Sequence, residues 1–215
     1  MSQVATARGG RPPRIRPEEI LDVLATRLDD TWTMASIASE LGVSEAAIYY
    51  YYPTKADLLA AIGQRLFSKL ELPRPQQSWE AWLVEVGLCL YDFFVRYPLM
   101  TNASVDILGD TAGEVWATEP ILRDLASVGF TGSDADTVIT TILVLATGYA
   151  TMAAFLDGPR GKRFKDRVTR RAMLEPDSLT SQNQLPAQAW DIRQRLAASL
   201  AATIGGFGML RTNHG

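Results

Sequence analysis

Residues 33–55 read TMASIASELGVSEAAIYYYYPTK, and this stretch decides the fold. Met34, Ile37, Ala38 and Leu41 recur at helical spacing and make one apolar face. Thr33 stands before them as an N-cap, and Gly42 follows as a residue able to take the positive φ that stops a helix. Val43 fills the corner. Ser44 caps a second predicted helix, Glu45 to Tyr51, which Pro53 ends. Two short helices joined by a glycine-containing turn are the parts of a helix-turn-helix DNA reader. Ile48 points back at Val43 and Leu41, which leaves Glu45, Ala46, Tyr49 and Tyr50 on the outer face. Four consecutive tyrosines cannot all face one core at about 100° per residue, so Tyr52 is expected to be mostly buried and Tyr49, Tyr50 and Tyr51 to reach the surface.

The flanks complete the unit. Pro17 starts a helix with Glu18 and Glu19 in its first turn, where the dipole favours acids. Ile20, Leu21, Leu24, Ala25 and Leu28 form its apolar stripe, which should pack across the helix-turn-helix. Thr54 caps a further helix to about Lys69, with Leu58, Leu59, Ile62, Leu66 and Leu70 inward. Lys55, a cation at the start of that helix, opposes the dipole; a DNA phosphate beside it would account for the placement. Residues 1–17 are rich in Gly, Pro and Arg; Arg8, Arg11, Arg14 and Arg16 all precede the first acid. Arg11 and Arg14 are candidates for an arm touching phosphates or a minor groove.

Residues 33–59 resemble the DNA-binding domain of the TetR (tetracycline repressor) family of bacterial transcription regulators. The resemblance is carried by Thr33, Ile37, Ala38, Leu41 to Ser44, Ile48 to Tyr50, Tyr52 to Lys55, Leu58 and Leu59. Tyr51 and Tyr52 stand where members commonly have His and Phe, and Asp29 and Asp30 where Gly is frequent. The resemblance implies phosphate contacts from Thr33, Ser44, Tyr50, Tyr51 and Lys55. It implies close approach and thymine-methyl contact at Ala46 and Ala47, and base-edge contacts from Glu45 and Tyr49. Glu45 is equally an acid favoured in a first helical turn. The resemblance also implies a homodimer on a pseudo-palindromic double-stranded DNA operator, a C-terminal small-molecule sensor, and a repressor that its effector releases. A ligand-responsive activator, and a helical partner-binding module without DNA binding, are the alternatives.

The chain has 215 residues, 47% of them apolar, enough for a sizeable core. No secretory pattern is present and no uninterrupted apolar run approaches the roughly 20 residues of a membrane span, so a cytoplasmic location without membrane contact is expected. One cysteine, Cys89, and one histidine, His214, exclude an intramolecular disulfide and argue against a Cys/His zinc site or a Ser-His-Asp triad. No nucleotide-loop, dinucleotide-glycine, HExxH or GxSxG motif occurs, so neither an enzyme nor a cofactor is expected. The net charge of −3 does not preclude DNA binding where cations are segregated.

Residues 72–77, LPRPQQ, mark the expected boundary between a DNA-binding domain, 14–74, and a helical ligand-binding and dimerisation domain, 75–215. Trp79, Trp82, Leu83, Val86, Leu90, Phe93 and Phe94 predict one long helix ended near Pro98, followed by a shorter one over 99–108. Residues 109–119 have no clear pattern, and 120–128 read as helix. Ser133 or Asp134 caps a long helix to about Asp157, apolar all round, and 188–207 form the last helix. These last two are the expected dimer interface, as half of a four-helix bundle. The basic segment 158–187 is expected to be an interruption of loop character. Trp82, Cys89, Phe93, Trp116, Met152 and Phe155 are candidates for the ligand pocket. The fold class expected is all-α.

Overall fold

The computed structural model describes residues 15–26, 31–75, 78–101, 111–175, 177–178 and 190–210. The helices are α1 (Pro17–Thr26), α2 (Met34–Leu41), α3 (Glu45–Tyr51), α4 (Lys55–Phe67), α5 (Trp79–Arg96), α6 (Thr111–Ser127), α7 (Ser133–Asp157), α8 (Pro159–Leu174) and α9 (Ile192–Phe207). A helical turn covers 98–101, and no strand occurs among the described residues. The fold is all-α, as the sequence predicts.

The N-terminal helices pack as α1 on α2, α1 on α4 and α2 on α3. Ile20, Leu24, Ile37, Ile48, Leu58 and Ile62 are fully buried between them. Arg65 on α4 ties this unit to α1, donating to the Glu18 carbonyl at 3.2 Å and pairing with Asp22. Beyond it, α5 packs against α7 and α9, and α6 covers α7. Leu83, Val86, Leu90, Val138, Ile142, Leu196 and Leu200 fill that layer. Gly87 lets α5 and α9 approach: a Cβ there would stand 2.6 Å from Leu200 Cδ1.

The two layers share one apolar core. Phe67, at the end of α4, stacks on Phe93 with ring centres 4.2 Å apart and meets Phe94 edge-on at 6.4 Å. The segment after α4 then runs back along α5. Cys89 Sγ–H points to the Glu71 carbonyl at 3.8 Å, and Trp82 Nε1–H donates to the Pro73 carbonyl at 2.9 Å.

Four expectations are corrected. α6 begins at Thr111 and carries Pro120 inside it, whereas the sequence reading starts that helix at the proline, the residue best suited to a first turn. α7 begins at Ser133 with Gly132 in the capping position and no side-chain cap bond. The last helix starts at Ile192, capped by Asp191, whose carboxylate accepts from Gln194 N at 2.9 Å; Gln188 lies outside the described residues. The basic segment is a helix, not a loop, over Pro159–Leu174. Arg and Lys are good helix formers, Pro159 suits the first turn, and the buried contacts are the small Gly161 and Ala172 rather than a stripe of large apolar residues.

By length and composition alone, α7 would pass as a membrane span, which the sequence reading did not anticipate. Its inner face packs on α5 and α9 through Val138, Ile142, Ala146 and Ala150. On α7, the hydroxyls of Thr137, Thr141, Thr147 and Thr151 each donate to the carbonyl four residues back. Those threonines therefore turn mainly methyl groups outward.

Candidate nucleic-acid interface

Local chemistry holds the reading unit at both ends of its first helix. The Thr33 hydroxyl accepts from Ser36 N at 3.0 Å, and the Thr33 N–H donates to Ser36 Oγ at 2.9 Å, a reciprocal cap. Trp32 and Ile37, flanking that cap, are both buried and act as the hydrophobic staple. Gly42 has φ 66° and ψ 32°. Its N–H donates to Ser39 O at 3.2 Å and that of Val43 to Ala38 O at 2.9 Å, the paired bonds of a left-handed helix stop. The turn thereby fixes the angle at which α3 leaves α2.

On α3, Ile48 is fully buried, Ala47 is half-buried and Tyr51 leans inward. Glu45, Ala46, Tyr49 and Tyr50 are exposed on one side. Tyr50 is 68% exposed and meets the Tyr51 ring edge-on at 5.0 Å. The face is short, nearly uncharged apart from Glu45, and rich in aromatic surface. Ser44 occupies the capping position of α3, yet its side chain makes no cap bond; the expected cap is absent and the exposed hydroxyl points to no helix N–H.

Tyr51 departs from expectation. It is half-buried, and its hydroxyl donates to the Ile15 carbonyl at 2.9 Å. A phenol has one proton to donate, and a phosphate can only accept. The arrangement therefore works against the phosphate contact expected of Tyr51, and gives the residue the task of fastening the chain before α1 to α3. Tyr52 packs against the core and is mostly buried, as expected; burial, with a smaller contribution from the Glu18 charge, raises its phenol pKa.

α4 starts with a second reciprocal cap, Thr54 Oγ1 accepting from Asp57 N at 3.1 Å and Asp57 accepting from Thr54 N at 2.9 Å. Lys55 follows, exposed, with Nζ 4.4 Å from the centre of the Trp32 ring. The sequence reading missed Trp32. Its signal was available as the apolar residue before the Thr33 cap. The indole face offers the ammonium a partner at a helix start that otherwise repels it. Thr33, Ser44, Glu45, Ala46, Ala47, Tyr49, Tyr50 and Lys55 all lie on the helix-turn-helix or at the start of α4. Arg11 and Arg14 lie outside the described residues.

The five pocket candidates whose side chains are described are not all brought together. Cys89 and Phe93 line an open groove of about 490 Å³ with Leu66, Lys69, Leu70, Pro73, Glu85, Leu88, Asp92, Arg96, Tyr97 and Arg193. Trp82 is instead core, its N–H committed to Pro73. Met152 and Phe155 are exposed on α7, at 40% and 45%. The Trp116 side chain lies outside the described residues. The groove residues missed by sequence reading come from α4 and the segment after it, which no periodicity within α5 could reveal. Burial, assisted by the nearby Asp92 charge, pushes the Cys89 thiol above its ordinary pKa. Arg193 reaches across from α9 to hold Asp92 with two nitrogens, at 3.0 and 3.1 Å.

Comparison with known proteins agrees with this geometry. The family described as bacterial regulatory proteins, tetR family, matches residues 30–62. Nucleoid occlusion factors SlmA from Shewanella pealeana and Shewanella halifaxensis are 42% identical over 69 residues, covering 28% of this chain and 35% of theirs. The match thus spans about a third of the length of those relatives. Apo ActR from Streptomyces coelicolor is similar over 92% of this chain and 98% of its own, with TM-score 0.74 and 18% identity. ActR in complex with actinorhodin gives TM-score 0.73 at 19% identity over the same shares. A single-residue variant of TetR from Acinetobacter baumannii AYE, in complex with minocycline, gives 0.61 at 18% identity, over 92% of this chain and 96% of that one. The family's signature thus falls on α2, α3 and the first part of α4, and the chain shares the all-helical fold of those solved structures along nearly its whole length.

Proposed function

We propose that this chain is a cytoplasmic, sequence-specific DNA-binding transcriptional regulator, not an enzyme, and that it acts as a homodimeric repressor released by a small, largely apolar ligand. One observation carries the reading: α3 presents Glu45, Ala46, Tyr49 and Tyr50 to solvent on a rigidly capped and turned scaffold. An isolated folding unit gains nothing from exposing two tyrosines side by side; a groove-reading helix does. Residues 14–74 would form the DNA-binding domain and 75–215 the sensing and dimerisation domain. Thr33, Ser44, Tyr50 and Lys55 would hold phosphates, Ala46 and Ala47 would allow close approach, and Glu45 and Tyr49 would meet base edges. Tyr51 is reassigned to scaffolding by its bond to Ile15.

Dimerisation through α7 and α9 is supported by their free faces. Val144, Gly148, Thr151 and Phe155 on α7, and Ala198, Ala201, Ala202 and Gly205 on α9, are exposed, small or apolar. Two such helices from each subunit would close a four-helix bundle and set two α3 helices about 34–36 Å apart. Of the candidate positions, Cys89 and Phe93 are the better placed for an effector, because their groove touches both α4 and α5. The actinorhodin complex of ActR and the minocycline complex of TetR support ligand binding on this fold.

Selection of genomic fragments by the purified chain, followed by footprinting, tests the proposal. It predicts protection of a two-fold-symmetric site and release by a compound that binds the groove. Uniform affinity for every fragment would end the operator reading.

A further inference from the structure

Helix α8 concentrates seven cations, Arg160, Lys162, Arg163, Lys165, Arg167, Arg170 and Arg171, against the single acid Asp166, in a chain whose net charge is −3. They are not spread evenly round the helix. Arg160, Arg163, Arg167, Arg170 and Arg171 recur at three- and four-residue steps and make one exposed stripe about 16 Å long. Among the described residues only Arg171 meets an acid, Glu175 at 3.3 Å. Like charges at these spacings repel, so helix stability does not explain the stripe.

The opposite side is anchored. Gly161 lies so close to the end of α7 that a Cβ would stand 2.2 Å from the Phe155 carbonyl oxygen, and Ala172 is buried. Phe164 packs edge-on against Phe155 and against Trp190, with centres 6.2 and 6.1 Å apart. A chain of contacts then places α8 in the molecule. Trp190 lies just before α9, whose Arg193 holds Asp92 on α5, next to Phe93, and Phe93 stacks on Phe67 of α4. α8 therefore starts at that end of the C-terminal helices to which the helix-turn-helix unit is joined.

Resting on the DNA-binding reading above, we propose that the arginine stripe of α8 is a second DNA contact, sequence-independent, gripping backbone phosphates of the duplex that the α3 helices read. Arginine forks match phosphate oxygens, and a straight cationic row complements a duplex strand. An anionic membrane fits less well. Insertion needs a continuous free apolar face; here the arc of Gly161, Val168 and Ala172 is turned inward, and the strongly exposed Met173 and Leu174 are confined to the last turn.

The test uses the full chain and a mixed-sequence duplex of about 40 base pairs, with anisotropy titrations between about 50 and 200 mM salt. The combined variant Arg163→Gln, Arg167→Gln, Arg170→Gln should lower the slope of log affinity against log salt by about 2 to 3, at unchanged melting temperature. The variant with Lys at the same three positions should restore most of the slope. If the wild type binds with the same slope as the Gln variant, this second contact is wrong while the regulator reading stands. If the wild type binds no duplex, both fall. Slopes that match, together with arginine-dependent sedimentation on phosphatidylserine vesicles, would transfer the stripe to a membrane surface.

Discussion

The Tyr51 hydroxyl donates to the Ile15 carbonyl across 36 positions of sequence, and this bond closes the chain before α1 onto the second helix of the reader. Tyr51→Phe removes the donor and leaves the carbonyl unpaired. The expected cost is about 1 kcal/mol of unfolding free energy, seen as a lower midpoint in urea. DNA affinity at fixed salt should not change. An affinity lowered alike for all sequences would return Tyr51 to the phosphate contacts.

Lys55 is expected to behave oppositely. Its ammonium lies over Trp32 yet remains exposed at the start of α4, where backbone N–H groups also face outward. Lys55→Ala should weaken binding to all sequences alike and flatten the salt slope by about one unit, with little loss of stability. A variant that lost only operator preference would contradict this.

Gly42 has open space where a Cβ would go, so substitution there tests backbone conformation alone. With φ at 66°, Gly42→Ala should destabilise the chain by about 1–2 kcal/mol through left-handed strain. The readout is calorimetric melting, and an unchanged midpoint would mean that the turn relaxes freely.

Gly148 also has nothing within 4 Å of an added Cβ, and it sits in the middle of the exposed face of α7. Gly148→Arg should leave helix content and melting of the subunit nearly intact. Sedimentation should show monomers, and operator affinity should fall with the lost symmetry. A variant still sedimenting as a dimer would move the interface elsewhere.

Cys89 reports on the groove. The thiolate is the reactive form, and burial raises this thiol above its ordinary pKa, so alkylation near neutral pH should be slower than for a free cysteine and should accelerate as alkaline pH passes through the raised value. An effector seated against Phe93 should slow it further. Equal rates with and without effector would place the ligand outside this groove.

The helix-turn-helix was legible almost residue by residue. Its caps, its glycine and its apolar spacing are all local signals, and α2 and α3 end where Leu41 and Tyr51 predict. What escaped was non-local. No spacing announces that Tyr51 reaches Ile15, or that Lys55 finds Trp32, because each pair meets only after the chain has turned. The pocket candidates were drawn from apolar residues on separate helices, and apolarity alone cannot distinguish core Trp82 from groove-lining Cys89 or from exposed Phe155. In sequence α8 has the look of a loop, because its inward contacts are Gly161 and Ala172, too small to register as a stripe. The exposed side of α7 was visible only as excess apolarity; which residues face outward required the positions of α5 and α9.

Phe67 is rooted among Phe93 and Phe94, while the other end of α4 carries the reading unit about 20 Å away. A helix clamped at one end behaves as a lever. Tilting its root by about 5° sweeps the far tip through roughly 2 Å, more than a hydrogen bond to a phosphate tolerates. Modest repacking of three aromatic rings would therefore be amplified into loss of register, and in the proposed homodimer the error would be doubled across two half-sites.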